Sequence, residues 1–253
     1  MERIVLITGA TSGIGLATAR KFAENNYNLI ITGRRKERLD ALRDELLGRN
    51  NKIKVLALAF DVRSLTQVVA HLGKLEPEWE RIDILVNNAG LAVGLNHIDD
   101  GVIDDWERMI DTNIKGLLYV TRVVSPGMVE RGKGHIINIG SIAGKEVYEN
   151  GNVYCASKHA VDALSRSMRI DLVKHGIKVT NVAPGLVKTE FSDVRFKGDS
   201  EKAEVPYKGM KPLSGGDVAD VIYYCTSLPP HVNIDDVLVM PSAQASSTVI
   251  HRV

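Results

Sequence analysis

The sequence predicts a single α/β domain built on a doubly wound parallel sheet, and three observations lead there. Short apolar, β-branched runs recur along the chain, segments with helical spacing separate them, and a glycine-rich stretch lies directly after the first run. Alternating strand and helix requires right-handed crossovers, which makes the strands parallel and covers both sheet faces with helices. Strands buried on both faces read as continuous apolar runs rather than as alternation.

In chain order the predicted strands are Ile4 to Ile7, Leu29 to Thr32, Val55 to Phe60, Ile84 to Val86, Ile136 to Ile139, Ile177 to Val182 and Val237 to Met240. After the second strand, Leu39, Leu42 and Leu46 share one helix face, and the helix ends near Gly48. After the third, Leu65, Val68, Val69 and Leu72 repeat the pattern. No repeat, low-complexity tract or linker divides the chain, so residues 1–253 are expected to close as one Rossmann-like domain of about seven strands. The stretch from Glu190 to Leu213 differs, being polar, aperiodic and interrupted by Gly198, Gly209 and two prolines. A loop that long in a compact domain usually serves function, and 190–213 is predicted to be a substrate loop.

Composition narrows the partners. A formal net charge of +1 gives no broad attraction to nucleic acid or to an anionic membrane, which leaves a small molecule. No apolar run approaches the roughly 18 residues of a membrane span, and the residues before Ile4 leave no room for a signal peptide, so the expected location is the cytoplasm. Cys155 and Cys225 lie far apart with no paired Cys/His spacing. Neither a disulfide nor a metal site is expected, and both thiols should be buried.

The glycine-rich stretch reads Thr8-Gly9-Ala10-Thr11-Ser12-Gly13-Ile14-Gly15, between a strand and a helical segment. Glycines there let the backbone turn sharply and approach a pyrophosphate, while the helix start aims free N–H groups at the anion. An ordinary βα turn is the bland alternative. Roughly twenty residues past the glycines, where an NAD-binding chain places an acidic residue on the ribose, stand Arg34 and Arg35. Basic side chains there favour the 2′-phosphate of NADP, and a bound anion would relieve positive charge at a helix start. The alternative is a solvated, charged helix start.

Reducing a ketone requires a proton on the nascent alkoxide, and oxidising an alcohol requires its removal. Tyr154 can serve both directions if a cation favours its phenolate, and Lys158 lies four residues later on the same helix face. Ser141, ending the fifth predicted strand, offers a hydroxyl to the substrate oxygen. A Tyr/Lys pair at this spacing is also common as a merely solvated pair.

Taken together, Thr-Gly-x-x-x-Gly-x-Gly, Asn87-Asn88-Ala89-Gly90, Asn113, Ser141 with Tyr154 and Lys158, and Pro184-Gly185 resemble the short-chain dehydrogenase/reductase family over nearly the whole chain. The resemblance implies hydride transfer with Ser141, Tyr154 and Lys158 as the catalytic set, and Asn113 supporting a water-linked proton path from Lys158. It implies that Lys158 also holds the nicotinamide ribose, that Asp61 and Val62 flank the adenine, and that Asn88, Ala89 and Gly90 line the adenosine side. Asp61 equally suits a helix cap. Pro184, Gly185, Leu186, Val187 and Thr189 would meet the nicotinamide carboxamide, and the assembly would be a homo-oligomer, a tetramer.

Within that family, Gly90-Leu91-Ala92, Asp111 to Gly116, His135 to Ser141 and Thr189 to Asp199 resemble the NADP-dependent 3-hydroxy acid dehydrogenases acting on serine, L-allo-threonine and 3-hydroxypropionate-like acids. A hydroxy acid needs its carboxylate neutralised, and an arginine fork suits that task. Arg195 is the candidate, against a solvated loop arginine; Lys145 and Lys197 are weaker ones. The last strand departs from the family pattern in lacking a Gly-rich approach, so the subunit contact usually built there is not carried over. Two other readings remain: a reductase of a bulkier ketone or diketone, which an apolar 190–213 segment would favour, and a silent NADP-sensing module, which would lack Tyr154 or Lys158.

Overall fold

Strand β1 (Ile4–Ile7) sends Val5 and Ile7 to one sheet face and Ile4 and Leu6 to the other, as the two-residue period requires. All four are buried, because helices cover both faces. The computed structural model describes residues 3–253; Met1 and Glu2, which open the predicted 1–253 domain, lie outside the described residues. The strands that follow are β2 (Asn28–Gly33), β3 (Val55–Ala59), β4 (Ile82–Asn87), β5 (Gly134–Ile139), β6 (Ile177–Pro184) and β7 (Asp236–Val239). Every neighbouring pair is parallel, in the order β3-β2-β1-β4-β5-β6-β7. Each predicted strand is present, with β4 starting at Ile82 and β6 continuing through Pro184.

The helices are α1 (Gly13–Glu24), α2 (Lys36–Arg49), α3 (Leu65–Leu72), α4 (Ile103–Ile110), α5 (Leu117–Arg131), α6 (Asn152–Leu172), α7 (Phe191–Arg195), α8 (Ser200–Glu204) and α9 (Gly215–Ser227). Phe22 of α1, Leu39, Leu42 and Leu46 of α2, and Val218 and Ile222 of α9 pack on Val5, Ile7, Leu29 and Ile31. On the opposite face Val68 of α3, Val120 and Met128 of α5, and Val161 and Met168 of α6 pack on Leu6, Ile30, Leu85 and Ile136. Ser64 caps α3 by accepting from the Gln67 N–H, so Asp61 is not the cap. Cys155 and Cys225 are buried free thiols, as expected. Among the described residues, no helix is long and apolar enough to cross a membrane.

The 190–213 segment is more ordered than its sequence suggests. It holds α7, α8 and a 3-10 turn at Val205–Tyr207. Five-residue helices are too short to display a period, and they are set by local bonds: Asp199 caps α8 through the Lys202 N–H, and Gly198 turns the chain at φ +89°. Tyr207 donates to the Val187 carbonyl at 2.9 Å and pairs with Ser192 at 2.6 Å, tying the segment back to the chain leaving β6.

Polar residues in the sheet are matched across strands. Asn87, Asn138, Asn181 and Asp236 share one register row from β4 to β7. The Asn87 amide donates to Asn138 and Thr121 at 2.9 Å, and Asn138 donates to Ser165 at 2.9 Å. At the amino end of β5, His135 is buried with Nε2 2.8 Å from Thr180 Oγ1. That hydroxyl gives its own proton to the Ile234 carbonyl, so it accepts from Nε2–H and leaves the buried Nδ1 unpaired.

Burial, with the Lys178 charge adding to it, pushes His135 down to about 3. Since an unfolded histidine takes its proton near pH 6.5, the folded state is disfavoured as pH falls from 6.5 towards 3, by about 1.4 kcal/mol per unit. Urea unfolding between pH 7 and 5 should therefore show a steeper loss of stability for the parent than for His135→Gln, which keeps a donor and does not titrate. Parallel slopes would mean that His135 is not held neutral.

Candidate active site

The chain leaves β1 towards β2 on one side and β4 towards β5 on the other, so a crevice opens between the carboxyl ends of β1 and β4. Thr8 and Asn88 close its floor. Thr8 Oγ1 accepts from the Asn88 and Ala89 N–H groups at 3.0 Å, and the Asn88 amide donates to the Thr8 and Gly9 carbonyls at 2.8 and 3.0 Å. The Asn88 side chain is thus a brace for the glycine-rich turn as well as a wall of the crevice.

The crevice is a cavity of about 530 Å³. Gly9, Thr11, Ser12, Gly13 and Ile14 line it at one end, with Arg34, Arg35, Asp61, Val62, Asn88, Ala89 and Gly90 beside them. Ser141, Tyr154, Lys158, Pro184, Gly185, Val187, Thr189 and Arg195 line the other end. Three predicted residues stand behind the wall: Ala10 is fully buried with its N–H on Thr32, Gly15 packs on the turn, and Asn113 is buried beneath. Lys145 and Lys197 are elsewhere. Lys145 bridges Asp162 and Asp236 at 2.5 and 2.6 Å, and Lys197 pairs with Asp105 at 2.7 Å, so neither faces this cavity.

The glycines fit a pyrophosphate cradle. Gly9 and Gly13 have φ of +67° and +55°, which side chains rarely adopt, and a Cβ on Gly15 would come within 2.4 Å of the Gly9 carbonyl. At the start of α1, Ser12 makes no side-chain cap and no acidic residue stands in the first turn, which leaves the helix start open to an anion. Arg35 bonds Thr11 at 2.9 Å, Ser12 at 3.2 Å and Glu190 at 3.0 Å, and Arg38 holds the same carboxylate at 2.6 Å. Burial pushes the Asp61 carboxyl up, but bonds from Arg63 and the nearby Arg34 charge hold it below its usual range.

At the other end, Lys158 is buried with Nζ 2.8 Å from the Ile139 carbonyl, and burial lowers it to about 8. Burial pushes Tyr154 well above the ordinary tyrosine range, and neighbouring Tyr148 adds to this; bonding to Ser141 and the Arg195 charge pull the other way. The sequence suggested Lys158 as the cation beside Tyr154. The guanidinium of Arg195 also stands there, 5.5 Å from the centre of the Tyr154 ring. Ser141 Oγ accepts from the Ala143 N–H at 3.1 Å, and its hydroxyl bonds Tyr154.

A family model described as short chain dehydrogenase matches residues 3–199. The chain belongs to the short-chain dehydrogenase family. It is 50% identical over 251 residues to the NADP-dependent 3-hydroxy acid dehydrogenase YdfG of Salmonella typhi, covering 98% of this chain and 99% of that protein. Sulfoacetaldehyde reductase 2 of Chromohalobacter salexigens is 45% identical over 248 residues, covering 98% and 97%. Among solved structures, the closed form of serine dehydrogenase complexed with NADP+ superposes with a TM-score of 0.91 at 48% identity, covering 99% of this chain and all of that one.

This short-chain dehydrogenase also has wall residues that the motifs did not point to. Tyr148, Glu190, Phe191, Tyr207, Gln244 and Ser247 face the cavity. Gln244 accepts from the Leu186 N–H at 2.8 Å, and a Cβ on Gly185 would meet it at 2.5 Å, so the glycine is needed there by the carboxyl-terminal segment. No local pattern distinguishes such residues, because they join the site only through tertiary contact. Glu190, Phe191 and Tyr207 are the exceptions, lying within the 190–213 segment that the sequence marks as the substrate loop.

Asn113 lies in a π-helical turn, Asp111–Gly116, between α4 and α5. Widened turns of this kind are frequent at functional sites. Its amide accepts from the Leu91 N–H at 2.9 Å and donates to the Leu91 carbonyl at 2.8 Å and to Ser157 at 3.0 Å. Ser157 in turn donates to the Tyr154 carbonyl at 2.8 Å, so Asn113 braces the helix that carries Tyr154 and Lys158. Asn113→Ala leaves both Leu91 groups unpaired and should lose about 2 kcal/mol or more in urea unfolding. A variant as stable as the parent but much slower would put Asn113 in the proton path rather than in the frame.

Proposed function

We propose that this chain is an NADP-dependent oxidoreductase that moves a hydride between the nicotinamide and a small 3-hydroxy acid such as serine, L-allo-threonine or 3-hydroxypropionate. The observation that carries the reading is Arg195, a guanidinium in the cavity wall against the ring of Tyr154. A substrate carboxylate paired with it would hold a small hydroxy acid beside Tyr154. The same cation argues against a bulkier neutral ketone, and the joint presence of Tyr154 and Lys158 in one cavity argues against a silent NADP-sensing module. The names of the relatives and the NADP+ in the serine dehydrogenase structure support the reading from outside the chain.

In this reading Gly9 to Gly15 and the start of α1 take the pyrophosphate, and Arg34 and Arg35 take the 2′-phosphate. Asp61 and Val62 flank the adenine, Asn88, Ala89 and Gly90 the adenosine, and Pro184, Gly185, Val187 and Thr189 the nicotinamide side. When bound, the nicotinamide supplies or accepts the hydride. Tyr154 passes the proton to the nascent alkoxide or takes it from the alcohol, and its burial keeps it protonated and ready to donate. Ser141 donates to the same oxygen as charge develops on it. Lys158 holds the ribose and restores the Tyr154 proton, with Asn113 supporting its path. We assign residues 1–253 to one domain with 190–213 as its substrate segment, and we place the protein in the cytoplasm as a homo-oligomer, a tetramer. Ile170 and Val173, near the end of α6 and more than half exposed, suit such an assembly.

The decisive assay follows NADP reduction with L-serine, L-allo-threonine and 3-hydroxypropionate, each beside its methyl ester, and repeats the series with NAD. Acids should be preferred over esters and NADP over NAD; equal rates on acids and esters would refute the substrate class. Tyr154→Phe should bind NADP as the parent does but lose turnover by roughly a hundredfold or more, the usual scale for a positioned acid/base. Arg195→Met should lower kcat/KM for the acids by about 2 kcal/mol relative to the esters. Proportional losses on both would leave Arg195 only holding its segment.

A further inference from the structure

Arg195 has a partner in the cavity wall. Tyr148 stands between β5 and α6, and its hydroxyl accepts from Arg195 Nη2 at 3.0 Å. The guanidinium also lies 5.5 Å from the centre of the Tyr148 ring, the same distance as from the Tyr154 ring. Two phenol rings therefore flank one cation, which fixes where it stands. The ring of Tyr148 is itself seated tightly, since a Cβ on Gly151 would come within 2.6 Å of it.

Arg195 Nε is enclosed and has no hydrogen-bond partner, so the donors this arginine can offer to a ligand are its terminal nitrogens. The Tyr148 oxygen already accepts from Arg195, so its own proton is free to donate. Burial pushes the Tyr148 phenol up against the pull of Arg195, which keeps that proton in place at neutral pH. The buried Cys155 thiol beside it is a weak acceptor and a poor competitor.

We infer that Tyr148 is a specificity-determining residue whose hydroxyl, together with the Arg195 guanidinium, forms a two-donor cradle for the substrate carboxylate. This rests on the hydroxy acid reading above. A single cation attracts an anion from any direction, whereas two donors of fixed separation orient its plane and set the distance from the carboxylate to the reacting carbon. Tyr148 is then the residue that lets the site reject a neutral compound of the same shape, because such a compound leaves both donors unpaired.

Tyr148→Phe keeps the ring under the guanidinium and removes only the hydroxyl. Three quantities decide the matter: kcat and KM for 3-hydroxypropionate and for its methyl ester, the inhibition constant of propionate, and the NADP dissociation constant by calorimetry. The variant should lose roughly tenfold in kcat/KM for the acid, mainly through KM, and bind propionate more weakly by a similar factor. The ester should change less than twofold and NADP binding not at all. If acid and ester fall in proportion, or if neither changes, Tyr148 is not part of the cradle, while a parent that prefers the acid keeps the hydroxy acid reading intact. A parent that turns over acid and ester alike removes both the reading and this inference.

Discussion

Two parallel strands that send their chains in opposite directions leave backbone carbonyls and N–H groups at their parting ends with no ladder partner. At the ends of β1 and β4 these groups belong to Thr8, Gly9, Asn88 and Ala89, and a threonine hydroxyl and an asparagine amide satisfy them. The turn that follows can then run at positive φ, because its base is held from across the crevice. Everything placed in the cavity takes its position from this closure: α1 starts from it, Ala89 packs under Gly9, and Gly90 leads to the segment that Asn113 braces. Asn87, Asn138, Asn181 and Asp236 form a separate polar row in which Asn87 bonds Asn138 and Asn181 bonds Asp236, and these bonds make a slip of register costly where Ser141 and Pro184 must line up.

The strands were legible in the sequence because burial on both faces favours short β-branched apolar runs, which recur between the helical segments. The glycine-rich turn was legible for a related reason, since few residues tolerate its backbone. Helix ends and the inner side of the 190–213 segment were not. That segment is held by Tyr207 on Val187 and by Glu190 on Arg35 and Arg38, contacts between residues far apart in the chain. Tyr148 escaped notice similarly: a tyrosine six residues before Tyr154 has no periodic relation to it, and only the path of the chain between β5 and α6 brings both rings to one guanidinium. Lys145 and Lys197 mark the opposite error, being cations of the right kind whose carboxylate partners lie in the fold rather than in a ligand.

The two ends of the cavity differ in how they treat charge. Around Tyr154 and Lys158 burial dominates, moving the phenol up and the amine down, so the neutral forms gain relative to water. Burial thus drives the two groups apart in acidity and holds the proton on Tyr154, where a nascent alkoxide can take it. Around Arg35 the side chains remain in contact with solvent.

The Glu190 carboxylate between Arg35 and Arg38 belongs to that second regime, with each of the three side chains more than two-fifths exposed. Dissolved salt weakens attraction between exposed charges, most strongly beyond the Debye length of about 8 Å at physiological ionic strength. The hold of Glu190 on Arg35 and Arg38 therefore weakens as salt is added, whereas buried hydrogen bonds such as those of Asn113 are screened much less. Ionic strength thus acts unevenly on this molecule, loosening the outer fastening of the 190–213 segment while leaving the inner one, Tyr207 on Val187, in place.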